Sequence, residues 1–546
     1  MLKTKKILTL ICASLVLSAC GGGGGGGSSS GPTSVVVSGN VSFEDVPHDP
    51  VTLGLDYAAS FSAPARRVVV QAVNSSTGAV LDQDLTDDSG DYSLSVGSNV
   101  TMFIRARAQL QSPSNSAATW NVAVTDNTGG NALYVLDGPN FNSGESNRIE
   151  DLFAASGWDM ATSRYVDERA AAPFAILDAV YEAVSSFVAV DSDINFPDLE
   201  VRWSENNSPV GNGTAADLAA GRISTSFFSP SEDVIYILGA QDFDTDEYDS
   251  HVIAHEWGHY FEDVISRSDS IGGSHSITSL LDMRVAMSEG WGNAVSGIVL
   301  NDPIYIDSSQ VSQSRGFFID VEENNNLNRG WFNEGSVQSI IYDIYDGLPF
   351  ANSDISENSD TLDGGLARIY QTFTSDNYVN SPLVTSIHLF LDEYKFLFAN
   401  QSLAIDILAA GQDILVNDAI GTGENNDGGN SLTLPVYYLI TLGQSQEFCV
   451  INDFGSFNRL GNRRFFLLEG LTQDLYNIRV ARTMGATATD PDFFVLQQGQ
   501  AINGSLSGVL NVEDANLSLP AGDLVFEVYD DLNTDSCFTL TVTTAL

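Results

Sequence analysis

Two histidines four residues apart, His255 and His259, constrain this chain more than any other feature. Residues four apart lie one above the other on a helix, so a helix aims both imidazoles at one point. Glu256, beside the first histidine, can stand next to that point without ligating. His255-Glu256-Trp257-Gly258-His259 is thus an H-E-x-x-H arrangement, two metal ligands and a general base. Val252, Ile253, Phe261, Val264 and Ile265 supply apolar positions at helical spacing, and Asp249 or Ser250 is a suitable N-cap. The spacing predicts a partly buried helix. His251 is not a third ligand: on a straight helix it stands about 12 Å of rise from His259, against zinc–nitrogen bonds of about 2 Å.

A third ligand comes from elsewhere. Glu262 and Ile265 stand where an H-x-x-G-x-x-H continuation would carry Gly and His. The common remaining choice is a glutamate on a following helix, and Glu289 fits, in the small-residue-rich stretch Ala286–Val295. The pair His255-Glu256-Trp257-Gly258-His259 and Ser288-Glu289-Gly290-Trp291-Gly292-Asn293 resembles the gluzincin metallopeptidases, thermolysin-like and more closely fungalysin-like. The resemblance covers about fifty residues. It implies one zinc ion on His255, His259 and Glu289, with Glu256 as the catalytic base of a metalloendopeptidase acting on peptide or protein substrates. It also implies that position 293 accepts a hydrogen bond from a ligand histidine. The family carries Asp there; Asn293 can accept one, without charge.

The family's later oxyanion-stabilising histidine has no counterpart in the comparable segment Gly330–Val337. His275, His388, Arg329, Tyr342 and Tyr370 are the remaining candidate donors. Two strands expected just upstream of the zinc helix, Ile223–Phe228 and Val234–Leu238, offer an edge along which a peptide could pair. Asp242, Asp244 and Asp246 alternate before the helix in a manner that suits calcium. A solvated acidic loop feeding a helix N-terminus accounts for them equally well.

Lys3, Lys5 and Lys6 followed by an apolar stretch read as a signal peptide. Leu17-Ser18-Ala19-Cys20 resembles a bacterial lipobox, which implies a lipid anchor on Cys20. Gly21 after it resembles the outer-membrane sorting signal; a plain periplasmic or secreted destination is the alternative. Cys449 and Cys537, in a β-rich part of an exported chain, are expected to pair. The net charge of −48 repels nucleic acid. With 43% hydrophobic residues the chain still buries large cores.

The expected fold is an α+β zinc metallopeptidase domain, thermolysin-like, flanked by two small all-β sandwiches. Residues 1–20 are the signal peptide and 21–33 a Gly/Ser tether. Residues 34–110 resemble a carboxypeptidase-regulatory-like sandwich, and 111–144 read as a linker. Residues 145–445 form the peptidase domain; 446–546 resemble a prepeptidase C-terminal sandwich. The missing histidine and Asn293 motivate a second reading: a catalytically impaired, peptidase-like surface-binding lipoprotein.

Overall fold

The computed structural model describes residues 33–323, 325–346, 362 and 364–545. The signal peptide, Cys20 and nearly all of the tether lie outside the described residues.

Alternating side chains build the N-terminal strands. In Asp91–Gly97 every second residue is buried, Tyr92, Leu94 and Val96; in Thr101–Gln111 the buried set is Met102, Ile104, Ala106, Ala108 and Leu110. Such strands have one core face and one polar face. Ser34–Asp45 pairs antiparallel with Asp91–Gly97 and parallel with Leu152–Ala154 in a five-stranded sheet.

The second sheet has ten strands. Its main path runs Phe227–Ser229, Val234–Ile237, Leu199–Trp203, Asn121–Asp126, Thr101–Gln111, Val68–Asn74 and Val80–Leu85. This corrects two expectations. Residues 111–144 are not a linker: Asn121–Asp126 lies inside this sheet, parallel to Leu199–Trp203 with Val122 opposite Leu199. Residues 34–110 are likewise not a separate sandwich, because their sheet continues into strands beyond residue 145. One hydrophobic core, from Val35 to Val525, runs under both parts.

Three helices form the middle of the molecule. Ala172–Val190, with Pro173 in its first turn, lays Phe187 against Phe261 and Trp257 of Ser250–Val264, with ring centroids 4.5 and 5.2 Å apart. Met283–Leu300 is buried on all sides from Met283 to Val299, as a helix at the centre of a core must be. Two glycines permit that packing. A Cβ on Gly258 would stand 2.6 Å from Val295 Cγ1, and one on Gly292 2.7 Å from the His255 ring. Further helices span Glu334–Asp346, Gly365–Phe373, Ile387–Leu397 and Ser402–Gly411. The helix Ile387–Leu397 starts at Ser386, which caps it by accepting from Leu389 N.

A small four-stranded sheet, Gly239–Ala240, Asp244–Thr245, Ile304–Ser309 and Arg315–Asp320, borders these helices. The C-terminal part is a sandwich of five and four strands around Phe448, Phe466, Tyr476, Phe493, Phe526 and Phe538. It begins earlier than residue 446, since Tyr437–Leu439 pairs with Arg463–Leu471. Cys449 and Cys537 are directly opposed across two strands and form a disulfide. The architecture is mixed α/β with several sheets, including a terminal β-sandwich.

Candidate functional site

A cleft of about 720 Å³ opens between the edge strand Phe227–Ser229, the His255 helix, the loop 272–277 and the small sheet. On its floor His255, His259 and Glu289 converge. His255 Nε2 and His259 Nε2 are 3.0 Å apart, and Glu289 Oε2 is 3.3 Å from each. Ligand atoms about 2.05 Å from a tetrahedral centre stand roughly 3.3 Å apart. The triangle therefore has the dimensions of three ligands on one tetrahedral metal ion. No other described His, Asp or Glu side chain joins this compact group. His251 instead sets its Nε2 3.1 Å from the Asp302 carbonyl oxygen.

The far nitrogen of each imidazole is held. His255 Nδ1 donates to Asn293 Oδ1 at 3.0 Å, and Asn293 Nδ2 donates to Gln338 at 2.9 Å. His259 Nδ1 lies 3.1 Å from Ser288 Oγ, which donates to Glu262 Oε2 at 2.6 Å. These contacts turn both Nε2 lone pairs toward the triangle. Ser288, Glu262 and Gln338 were not singled out from sequence. A signal existed for the first two: Ser288 adjoins the ligand glutamate, and Glu262 stands three residues after His259 on one helix face. The electrostatics match a cation. Burial works against charge on His259, yet Glu289 pushes its pKa well above the ordinary histidine value. Burial also opposes charge on Glu289, yet His259, His255 and His275 hold it well below the usual carboxylate range.

Glu256 borders the same cleft, and its Oε2 accepts from Phe228 N at 2.8 Å. Glu256 is thereby tied to the edge strand. The hairpin Phe227–Ser229/Val234–Ile237 provides that strand.

The five oxyanion-donor candidates separate cleanly. His275 reaches the site: Nε2 is 3.3 Å from Glu289 Oε2, while Nδ1 donates to Glu334 Oε2 at 2.9 Å. Burial lowers its pKa, but the Glu334 hydrogen bond and the nearby Glu289 push it up to about 9. The segment Gly330–Val337, which has no histidine, thus supplies the carboxylate that orients one. The other four do not line the cleft. His388 is fully buried beside Trp331 and Glu424, where burial pushes its pKa down to about 4. Tyr342 is buried beside Tyr345. Arg329 donates to the Gly411 carbonyl in a separate cavity. Tyr370 donates to Asp191.

The acidic run is also redrawn. Asp242 leaves it, pairing with Arg164 at 2.6 Å and accepting from Ser312 N. Asp244 and Asp246 are joined by Asp307 from the strand Ile304–Ser309, their carboxylate oxygens all within 4.8 Å of one another. The group could hold a cation, and it borders the same cleft as Glu256. Asp307 lies over sixty residues from Asp246, in a stretch that reads as an ordinary strand, so no sequence signal ties the two together.

The C-terminal sandwich reaches the site from behind. Arg284, five residues before Glu289, makes a buried bidentate ion pair with Glu527, at 2.9 and 3.0 Å. Asn458 Nδ2 donates to the carbonyls of Gly272 and Ser274, at 2.9 and 3.1 Å, bracing the loop that carries His275.

No family model and no curated protein matches this chain. Among solved structures, the pre-peptidase C-terminal domain of a Bacillus anthracis collagenase is 15% identical. It covers 19% of this chain and 93% of that one, with a TM-score of 0.16. CorA, a surface-associated copper-binding protein of Methylomicrobium album BG8, is 8% identical over 20% of this chain and 98% of that one, also at 0.16. PliG, a periplasmic inhibitor of g-type lysozyme from Aeromonas hydrophila, is 10% identical over 19% and 95%, at 0.14. Likenesses at these scores carry no argument.

Proposed function

We propose that this chain is an exported zinc-dependent endopeptidase, anchored to the outer membrane through Cys20. The observation that carries the reading is the triangle of His255 Nε2, His259 Nε2 and Glu289 Oε2, with sides of 3.0, 3.3 and 3.3 Å, bordering one cleft with Glu256. When bound there, zinc lowers the pKa of a water ligand to about 7 and polarises a carbonyl.

The chain's own residues do the rest. Asn293 and Ser288 fix the two imidazoles, so that the ligand geometry is set before metal arrives. Phe228 N holds one oxygen of Glu256; the other faces the attacking water, takes its proton and delivers it to the leaving amine. His275, oriented by Glu334, points Nε2–H into the site, where it donates to the carbonyl oxygen as that oxygen gains charge. The strand Phe227–Ser229 ends its sheet and gives an extended peptide an edge to lie along, with Phe228 N already on Glu256.

The test pairs metal analysis with digestion of casein and a broad peptide library. Wild type is expected to carry one zinc per chain and to cleave; Glu256→Gln is expected to keep the zinc and lose cleavage. Wild type that holds stoichiometric zinc yet cuts no library member would sink the proposal.

A further inference from the structure

The acidic group on the cleft wall has no part in the proposed chemistry. Asp244, Asp246 and Asp307 place carboxylate oxygens within 4.8 Å of one another. Asp246 is only 2% exposed. Its Oδ2 accepts from Ser226, but its Oδ1 has no partner, and neither does Oδ1 of Asp244. A buried carboxylate oxygen without a donor is costly, and one beside a second carboxylate more so. Asp242, the acid of this run that does find an arginine, has left the group. Among the described residues no cationic side chain pairs with the remaining three.

The surroundings state what kind of cation would suit them. The cleft that the three carboxylates border is also lined by Val252, Tyr305, Phe317, Phe318 and Ile319. Apolar side chains and three carboxylates in one cleft match a long aliphatic stem tipped by an ammonium. The ammonium has three donors for three acceptors. Oxygens about 2.8 Å from such a nitrogen stand roughly 4.6 Å apart, within the observed spread. A calcium ion makes no use of the apolar lining and calls for about six to eight oxygens. Val252 stands four residues before Glu256, about 6 Å of rise along the same helix, and both border the cleft that the three aspartates border.

We propose that this niche is the subsite that selects the substrate, taking the lysine side chain of a residue close to the scissile bond. The proposal rests on the endopeptidase reading for its biological meaning, but the niche can be tested without catalysis. In the full-length Glu256→Gln protein, two peptides that differ only by lysine or its uncharged counterpart norleucine are titrated by calorimetry. The position of the substituted residue is varied along the peptide. At one position the lysine peptide is expected to bind roughly 10–100-fold more tightly, the worth of hydrogen bonds to a charged group. Asp246→Asn and Asp307→Asn, each placed on the Glu256→Gln background, should bring that ratio toward one, while Asp242→Asn should leave it unchanged. The ratio is internal to each variant, so a general loss of folding does not mimic the result.

Active wild type should show the same lysine preference at one fixed place in its library cleavage pattern. Equal binding of the lysine and norleucine peptides at every position overturns the proposal. So does stoichiometric binding of Ca²⁺ that Asp307→Asn abolishes and that lysine peptide fails to displace. Absence of cleavage with an intact lysine preference would instead overturn the endopeptidase reading and leave the subsite standing.

Discussion

The cleft holds two clusters of three ionisable side chains, and they are furnished in opposite ways. At the His255–His259–Glu289 triangle the outward nitrogen of each imidazole has a partner: Asn293, held by Gln338, behind one, and Ser288, held by Glu262, behind the other. At the Asp244–Asp246–Asp307 niche, buried carboxylate oxygens are left without donors. In the proposed reading the first keeps a Zn²⁺ ion in place, on ligands fixed by a supporting layer. The second is built to receive a charge that comes and goes. Support behind a site and vacancy in front of it are separate structural signatures, and each can be broken separately.

The largest expected effect is at the base. Glu256→Gln should lower kcat about 10²–10⁴-fold, the usual worth of a general base, with zinc content unchanged by elemental analysis. A fall in zinc content in parallel would mean that Glu256 holds the site together rather than moving a proton. Next is the brace behind the triangle. Arg284→Met leaves Glu527 as a buried charge with only Arg463 for company. Breaking a buried pair in this way costs about 3–5 kcal/mol, read from urea unfolding. The supporting layer comes third: Asn293→Ala and Ser288→Ala should each weaken zinc affinity about 10–100-fold in competition with a chelator. An equal loss in Asp246→Asn would erase the contrast between the two clusters.

The triangle was legible in sequence because its information is local. His255, Glu256 and His259 fall within one turn and a half of helix, and Asn293 follows Glu289 by four residues. The strands Asp91–Gly97 and Asp474–Gly485 also carry local information, with Tyr92, Leu94 and Val96 buried in the one and Tyr476, Ile478 and Val480 in the other. What was hidden depends on contacts between distant segments. Residues 111–144 look like a linker because their strands are short and polar-flanked, and the partner of Asn121–Asp126 lies beyond residue 198. His275 sits in a Gly/Ser loop that carries no pattern, and its partner Glu334 is 59 residues away. Asp242 belongs to the acidic run by an alternation visible in sequence, whereas Asp307 reaches Asp244 and Asp246 through the closing of a sheet, which is not.

The smallest expected effect concerns pH and separates the aspartate niche from the Arg284–Glu527 brace behind the triangle by sign. Burial first, then Asp249 and Asp244, push the Asp307 carboxyl up to about 8; burial, followed by Asp249, pushes Asp244 up to about 7. An unfolded aspartate titrates at about 3.9. Between that value and the raised ones, the folded protein binds more protons than the unfolded chain, so its stability falls as pH rises. Glu527 behaves oppositely. Burial alone would raise it, but Arg284 and Arg463 hold it below the ordinary glutamate value. Its contribution is therefore present above about pH 4.3 and is lost as pH falls through the folded value. In ligand-free protein, Asp307→Asn should flatten the decline of the urea midpoint between about pH 4 and 8 and raise the midpoint at the alkaline end. Glu527→Gln should leave that slope alone and lower the midpoint throughout, with the difference from wild type shrinking only below about pH 4.3. Saturation with a lysine peptide should reproduce the Asp307→Asn profile in the wild type, because a bound ammonium removes the same repulsion that the substitution removes. A peptide that leaves the slope unchanged would mean that the three aspartates share protons among themselves.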